Sequence, residues 1–141
     1  DLQVAVIQAD EAWSFVGSKD NKCWIWVAYE KTSQQVVAFH VGDRSRKSAQ
    51  AFYDKIPDTL KEKCQLIFTD DHKSYDGVIP IAKHHGSKKF NQNIERLFCT
   101  MRHRVSRVVR KNLAFSKKWK NHEMALRYFF WNYNLERSLH Y

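Results

Sequence analysis

Glycine and proline are scarce, with four Gly and two Pro in 141 residues. That leaves little room for long flexible linkers. There is no internal repeat and no low-complexity tract. No apolar window approaches the length needed to span a bilayer, and the N-terminus does not have the layout of a signal peptide. Cysteine is limited to Cys23, Cys64 and Cys99, an odd number without CxxC or zinc-type spacing. They read as reduced, mostly buried thiols of an intracellular protein. Acids are outnumbered: 24 Lys and Arg face 15 Asp and Glu, a net charge of +9. Solvated charge on an ordinary basic protein is one reading. The excess is concentrated between Lys83 and Lys120, however, which points to a polyanionic partner, most often nucleic acid. The chain begins at Asp1 rather than Met, as expected of a processed form or a fragment.

Aromatics are plentiful: five Trp, six Tyr and nine Phe. The length suits one domain, 1–141, with a real core. Val4 to Ala9 reads as a buried strand ending at Asp10-Glu11. Cys23 to Tyr29 and Val36 to Val41 read as two further strands, joined by short polar turns into an antiparallel meander. Ser45 is a helix N-cap, with Ala49, Phe52, Tyr53 and Ile56 as the apolar stripe; Pro57 breaks the helix and Leu60 continues a second segment. Gln65 to Thr69 is a short strand that again ends in acids, Asp70-Asp71. A crossover would set it parallel to an earlier strand. His72 to Tyr75 reads as one helical turn and Ile79 to His84 as a weak fifth strand. A C-terminal helical segment, about 116–135 and capped by Ser116, would pack through Trp119, Met124, Leu126, Phe129 and Phe130. The fold class is α/β, a mixed sheet flanked by helices.

Between Asn91 and Lys111, Ile94, Leu97, Phe98, Met101, Val105, Val108 and Val109 recur at helical spacing, behind Asn91 as N-cap and before Asn112 as C-cap. The rest of this helix is basic: Arg96, Arg102, Arg104, Arg107, Arg110 and Lys111, with His103 among them. Glu95 is its one acid. On the helix alone, the favoured reading of Glu95 is a solvated, dipole-favoured side chain. The strands reverse that preference. If the strands ending in Asp10-Glu11 and Asp70-Asp71 are neighbours, both acid pairs lie at one end of the sheet, and Glu95 can approach the same edge. Converging carboxylates repel one another, and hard divalent cations between them resolve the repulsion. Two such ions about 4 Å apart suit phosphodiester chemistry.

Seven stretches carry a resemblance to a known family: Q-A-D-E-A-W-S-F-V-G (8–17), V-G-D-R-S (41–45), F-T-D-D-H-K-S-Y (68–75), G-V-I-P (77–80), N-Q-N-I-E-R (91–96), R-V-S-R-V-V-R-K (104–111) and F-S-K-K (115–118). In this order the chain resembles the DDE transposases of the insertion-element-one family, in their RNase H-like catalytic domain. The 24 residues between Asp70 and Glu95 fit that family's short second interval.

The resemblance implies an RNase H-like mixed sheet, three antiparallel strands followed by crossover strands. It implies Asp10, Asp70 and Glu95 as catalytic, metal-binding residues holding two Mg2+ ions, with Mn2+ able to substitute. Arg102, seven positions after Glu95, would reach a phosphate, and Gln92 would contact DNA or a metal-bound water. With Arg96, Arg104, Arg107, Arg110 and Lys111 they make the DNA-binding set. The implied activity is metal-dependent DNA cleavage and strand transfer on element ends and target. The implied setting is a homo-oligomer on DNA, cytoplasmic and nucleoid-associated, without a membrane partner. Two rivals are a metal-dependent nuclease on the same scaffold and a non-catalytic DNA-binding remnant of a transposase. Nothing in the chain resembles the family's usual N-terminal zinc-ribbon and helix-turn-helix region, so DNA would be met mainly through phosphates.

Adjacent strand residues alternate between faces, so Glu11 and Asp71 are expected to turn away from the site, toward solvent or a basic partner. His72 is an extra ligand, a phosphate contact or, as a lone exposed His more often is, neither, and His84-His85 reads as basic surface for want of a spaced zinc partner. Trp24 and Trp26 read as core; Trp13, just past the first acids, either lines the site or packs.

Overall fold

The structure, a computed structural model, describes residues 5–15, 22–70, 73–86, 92–111 and 119–138. Strands β1 (Ala5–Phe15), β2 (Lys22–Glu30) and β3 (Gln35–Gly42) form the antiparallel meander. Helices α1 (Arg46–Asp54) and α2 (Asp58–Lys63) then cross over to β4 (Cys64–Thr69), which lies parallel to β1. A 3-10 turn, Lys73–Tyr75, leads to β5 (His84–Gly86), parallel to β4. Helices α3 (Gln92–Lys111) and α4 (Trp119–Ser138) follow. The sheet order is β3-β2-β1-β4-β5, with helices against both faces: the mixed α/β arrangement of an RNase H-like fold.

Strand alternation sorts the core into two layers. One face of the sheet presents Ala12, Cys23, Ile25, Val27 and Tyr29 to α3 and α4. There the stripe Ile94, Leu97, Phe98 and Met101 meets Leu126, Phe129, Phe130 and Tyr133. Burying each such side chain is worth about 1.5–3 kcal/mol. The side chains of Val105, Val108 and Val109 lie outside the described residues, as do Asn91, Asn112 and Ser116. The opposite face presents Ile7, Ala9, Trp26 and Ala28 to α1, where Ala49, Phe52 and Ile56 join Tyr75, Val78 and Ile79. Trp26 is the hub of this layer. Its ring meets Phe52 and Tyr75, and its indole N–H donates to the Asp43 carbonyl.

Helix α1 starts as its sequence requires. Ser45 Oγ accepts from the Ser48 N–H, and Asp43 accepts from the Ser45 N–H and from both serine hydroxyls. Those bonds hold the Asp43 carboxyl down at about 2. Pro57, with no N–H to give, separates α1 from α2.

Four expectations need correction. β1 does not end at Asp10-Glu11 but runs on to Phe15, because β2 keeps pairing with it, from Asp10 opposite Val27 to Phe15 opposite Lys22. The fifth strand is His84–Gly86 rather than 79–84. Val78 and Ile79 are buried in a turn, and the Pro80 carbonyl accepts from the N–H groups of Lys83 and His84, closing another turn before pairing with β4 begins. Met124 is 55% exposed, since it lies off the α4 face that carries Leu126, Phe129 and Phe130. His84 is more than basic surface: its Nε2 lies 2.6 Å from Thr69 Oγ1 and its ring meets Tyr75 edge-on. His85 is exposed beside Phe68.

Candidate active site

The site forms where β4 stops and β1 does not. Parallel pairing ends at Gln8 opposite Phe68, and β1 continues for seven residues with β2 on its other side. Asp10 and Glu11 lie at the start of this overhang, and Asp70 directly follows the last residue of β4. Each of these three acids brings a carboxylate oxygen within 4.8 Å of the other two. Alternation holds: Asp10 shares its face with Ala12 and the α3 layer, Glu11 with Ala9 and the α1 layer. Asp70 stands past the strand end, within reach of both.

The protein treats the two neighbours differently. Glu11 is buried, its side chain fully so. Arg44 Nε donates to Glu11 Oε1 at 2.9 Å, Nη2 stands in ion-pair contact 2.9 Å from the same oxygen, and the Tyr75 hydroxyl donates to Oε2 at 2.8 Å. Arg44 Nη2 also lies 3.7 Å from Asp70 Oδ2. Burial still raises the Glu11 carboxyl above its ordinary value, against the lowering pull of Tyr75 and Arg44, and burial beside these acids lifts the Tyr75 hydroxyl far above the usual phenol range. Asp10 accepts the N–H of Glu11 at 2.8 Å. Its carboxyl is pushed up to about 7, chiefly by burial, then by the charges of Asp70 and Glu11, and least by Glu95.

Glu95 is brought near by a buried bond. The first turn of a helix has N–H groups with no partner inside the helix. Gln8, buried two residues before Asp10 and on the same face, accepts the Ile94 N–H through Oε1 at 3.2 Å. One strand thus supplies Asp10 and also fixes the helix end that carries Glu95. The donor set is all hard oxygen, in a group whose charges repel, and it fits a divalent cation such as Mg2+ or Mn2+.

The sequence matches the family described as IS1 transposase over residues 4–135. The chain belongs to the IS1 transposase family. Insertion element iso-IS1n protein InsB of Shigella dysenteriae is 33% identical to it over 121 residues, spanning 86% of this chain and 90% of its own length. Insertion element IS1 2 protein InsB of Escherichia coli (strain K12) is 29% identical over 124 residues, 87% of this chain and 72% of that one. Insertion element IS1 protein InsB of Shigella sonnei is 29% identical over 124 residues, 87% and 92% respectively. Membership makes this chain a transposase by family, a DNA-modifying enzyme with DNA as its partner. Among the described residues no helix is long and apolar enough to cross a membrane.

In this IS1 transposase family member the expected site residues divide into groups. Asp10 and Asp70 come together, and Glu95 is exposed on the first turns of α3, close enough for its charge to act on Asp10. Gln92, Arg96 and Arg102 are exposed on the same helix. Arg104 is exposed too, and its Nη1 lies 3.4 Å from Glu136 of α4. The side chains of Arg107, Arg110 and Lys111, and both Asp71 and His72, lie outside the described residues.

Glu11 departs from expectation. It does meet a basic partner, Arg44, but it is buried rather than turned to solvent, and it belongs to the acid group by distance. Asp70, just past the end of β4, is reached from both faces of β1. Three residues that shape the site escaped the sequence reading: Gln8, Arg44 and Tyr75. All three lie inside the matched stretches 8–17, 41–45 and 68–75, the one signal that could have found them.

Proposed function

We propose that this chain is the RNase H-like catalytic domain, 1–141, of a DDE transposase. It would carry out metal-dependent cleavage of DNA at element ends and transfer of the freed strand to target DNA. The observation that carries the reading is the meeting of Asp10 with Asp70 at the β1 overhang, with Glu95 held near Asp10 by the Gln8 bond, in a chain of this family. Asp10, Asp70 and Glu95 would hold Mg2+, or Mn2+ in its place. When bound, such ions supply charge stabilisation of a phosphodiester displacement and activation of its attacking oxygen.

The remaining work falls to the protein. Arg44 keeps the Glu11 charge neutralised and its guanidinium beside Asp70, so Asp10 and Asp70 can hold their positions despite a third acid. Gln8 orients α3, which aims Glu95 at the site and carries the basic row along the path of the DNA backbone. Gln92, Arg96 and Arg102 would meet phosphates near the reacting bond, and Arg104, Arg107, Arg110 and Lys111 phosphates farther along. Strand transfer joins two DNA segments, which suits a homo-oligomer assembled on DNA in the cytoplasm, on the nucleoid.

The test uses a DNA end in two forms, one intact and one pre-cleaved to leave a free 3′-OH. Wild-type protein with Mg2+ should nick the intact form and join the pre-cleaved form to a target duplex, while Asp10→Asn, Asp70→Asn and Glu95→Gln should do neither yet still bind DNA. Cutting without joining would make it a nuclease. Binding without any metal-dependent cutting would make it a DNA-binding remnant.

A further inference from the structure

Trp13 stands on the β1 overhang two residues past Glu11 and on the same side of the strand, about 7 Å farther along. More than half of its surface, 53%, is exposed. β2 sets Trp24 directly opposite it, and the Arg44 guanidinium lies 4.6 Å from the centre of the Trp24 ring. The same guanidinium bonds Glu11 and approaches Asp70. An aromatic step therefore leads directly out of the acid group. Cross-strand packing in the β1–β2 hairpin explains why an aromatic pair stands there. It does not explain why one ring of the pair stays half bare one strand step beyond Glu11, opposite the ring that Arg44 covers. Nor do these charged surroundings suit an apolar protein partner, whose contact patch would exclude them. They suit a ligand that alternates flat π faces with anionic links.

We propose that Trp13, backed by Trp24 and Arg44, is a stacking platform for one unpaired nucleotide next to the reacting phosphate of DNA. This rests on the reading of the acid group as the centre that acts on DNA. The platform takes any base, because every base has a π face, so it reads strandedness rather than sequence. It adds a site on the α1 side of the sheet, opposite the basic helix, and so places the unpaired strand and the duplex on different sides of β1. Duplex DNA whose bases remain stacked gains nothing from it.

Anisotropy of fluorescein-labelled DNA in EDTA reads binding without any cleavage. Three probes are compared: a blunt duplex, the same duplex with a single-stranded extension, and that extension with one abasic nucleotide walked along it. Wild-type protein should prefer the extension, and one abasic position should weaken binding on the order of tenfold. Trp13→Ala should lose about as much on the intact extension, nothing on the blunt duplex, and all sensitivity to the abasic position. Trp13→Phe, which keeps a ring, should stay within about threefold of wild type. A flat abasic scan with the wild-type protein would overturn the proposal whatever the variants do, as would equal losses by Trp13→Ala on both intact probes. Nicking with Mg2+, measured separately on the wild type, judges the catalytic reading, so the two proposals can fail independently.

Discussion

Asp10 and Glu11 are neighbours on one strand, yet they occupy two different chemical settings. On the α1 side, Glu11 is fully enclosed, but a guanidinium and a phenol hydroxyl complete it. On the α3 side, Asp10 is less enclosed, has a backbone N–H, and faces two further acids as well as Glu11. The protein neutralises the first charge itself and sets the second among further acids. By distance alone both acids belong to one group; their partners separate a structural carboxylate from one that suits a cation.

The largest expected effect tests that division directly. Asp10→Asn should lower Mg2+-dependent nicking by at least about a hundredfold, the scale of losing one electrostatic contact to a transition state, with little loss of folding stability. Equal losses in nicking and in the urea midpoint would erase the contrast with Glu11. Glu11→Ala should do the opposite first. Removing one partner of a buried ion pair typically costs about 3–5 kcal/mol, read as a lowered urea midpoint, because Arg44 and the Tyr75 hydroxyl lose their acceptor. A variant as stable as wild type would mean the network contributes nothing.

Acidity sharpens the comparison further. Asp10 titrates at about 7 in the folded chain and near 3.9 when unfolded. Between those values the folded state binds more protons, so without divalent ions stability should fall as pH rises from about 4 to about 7. Thermal melts of the wild type in EDTA should show this slope, reduced in Asp10→Asn. Mg2+ should reduce it too, by favouring the ionised form. A wild-type slope unaffected by Mg2+ would argue against a cation at Asp10.

The smallest effect concerns how the Asp10 side is held. Gln8→Ala leaves the Ile94 N–H unmatched and should cost about 1–3 kcal/mol, with nicking reduced more than duplex binding because Glu95 drifts. If binding falls as much as nicking, Gln8 serves the helix and not the acid.

Much of the fold was legible because local periodicity carries it. The strands β2 and β3, the Ser45 cap, the Pro57 break and the α3 stripe all announce themselves within a few residues. The meeting of Asp10 with Asp70 also followed from setting both acid pairs at one end of neighbouring strands, although β1 runs past Asp10 to Phe15. What stayed hidden depends on distant partners. The overhang exists because β2 outlasts β4 as a neighbour of β1, which no pattern inside β1 records. Glu11 reads as an alternate turned toward solvent or some basic partner until Arg44 and Tyr75, 33 and 64 residues away, arrive to bury it. Gln8 is an unremarkable polar residue until it meets Ile94, 86 residues on.

The mixed pairing of β1 also has a bearing on the order of folding. Its antiparallel edge joins Phe15 to Lys22, 7 residues apart, whereas its parallel edge joins Gln8 to Phe68, 60 residues apart. Closing the longer loop costs more chain entropy, so the meander should form first and β4 dock late. Asp10 and Glu11 would then wait beside open solvent, and the third acid would close on them only in the final step, when the packing of Ile67 is gained to offset the repulsion. Kinetic analysis of Val27→Ala and Ile67→Val should give a high φ-value for the first and one near zero for the second. The reverse order would mean that the acids are forced together early, before the core that restrains them exists.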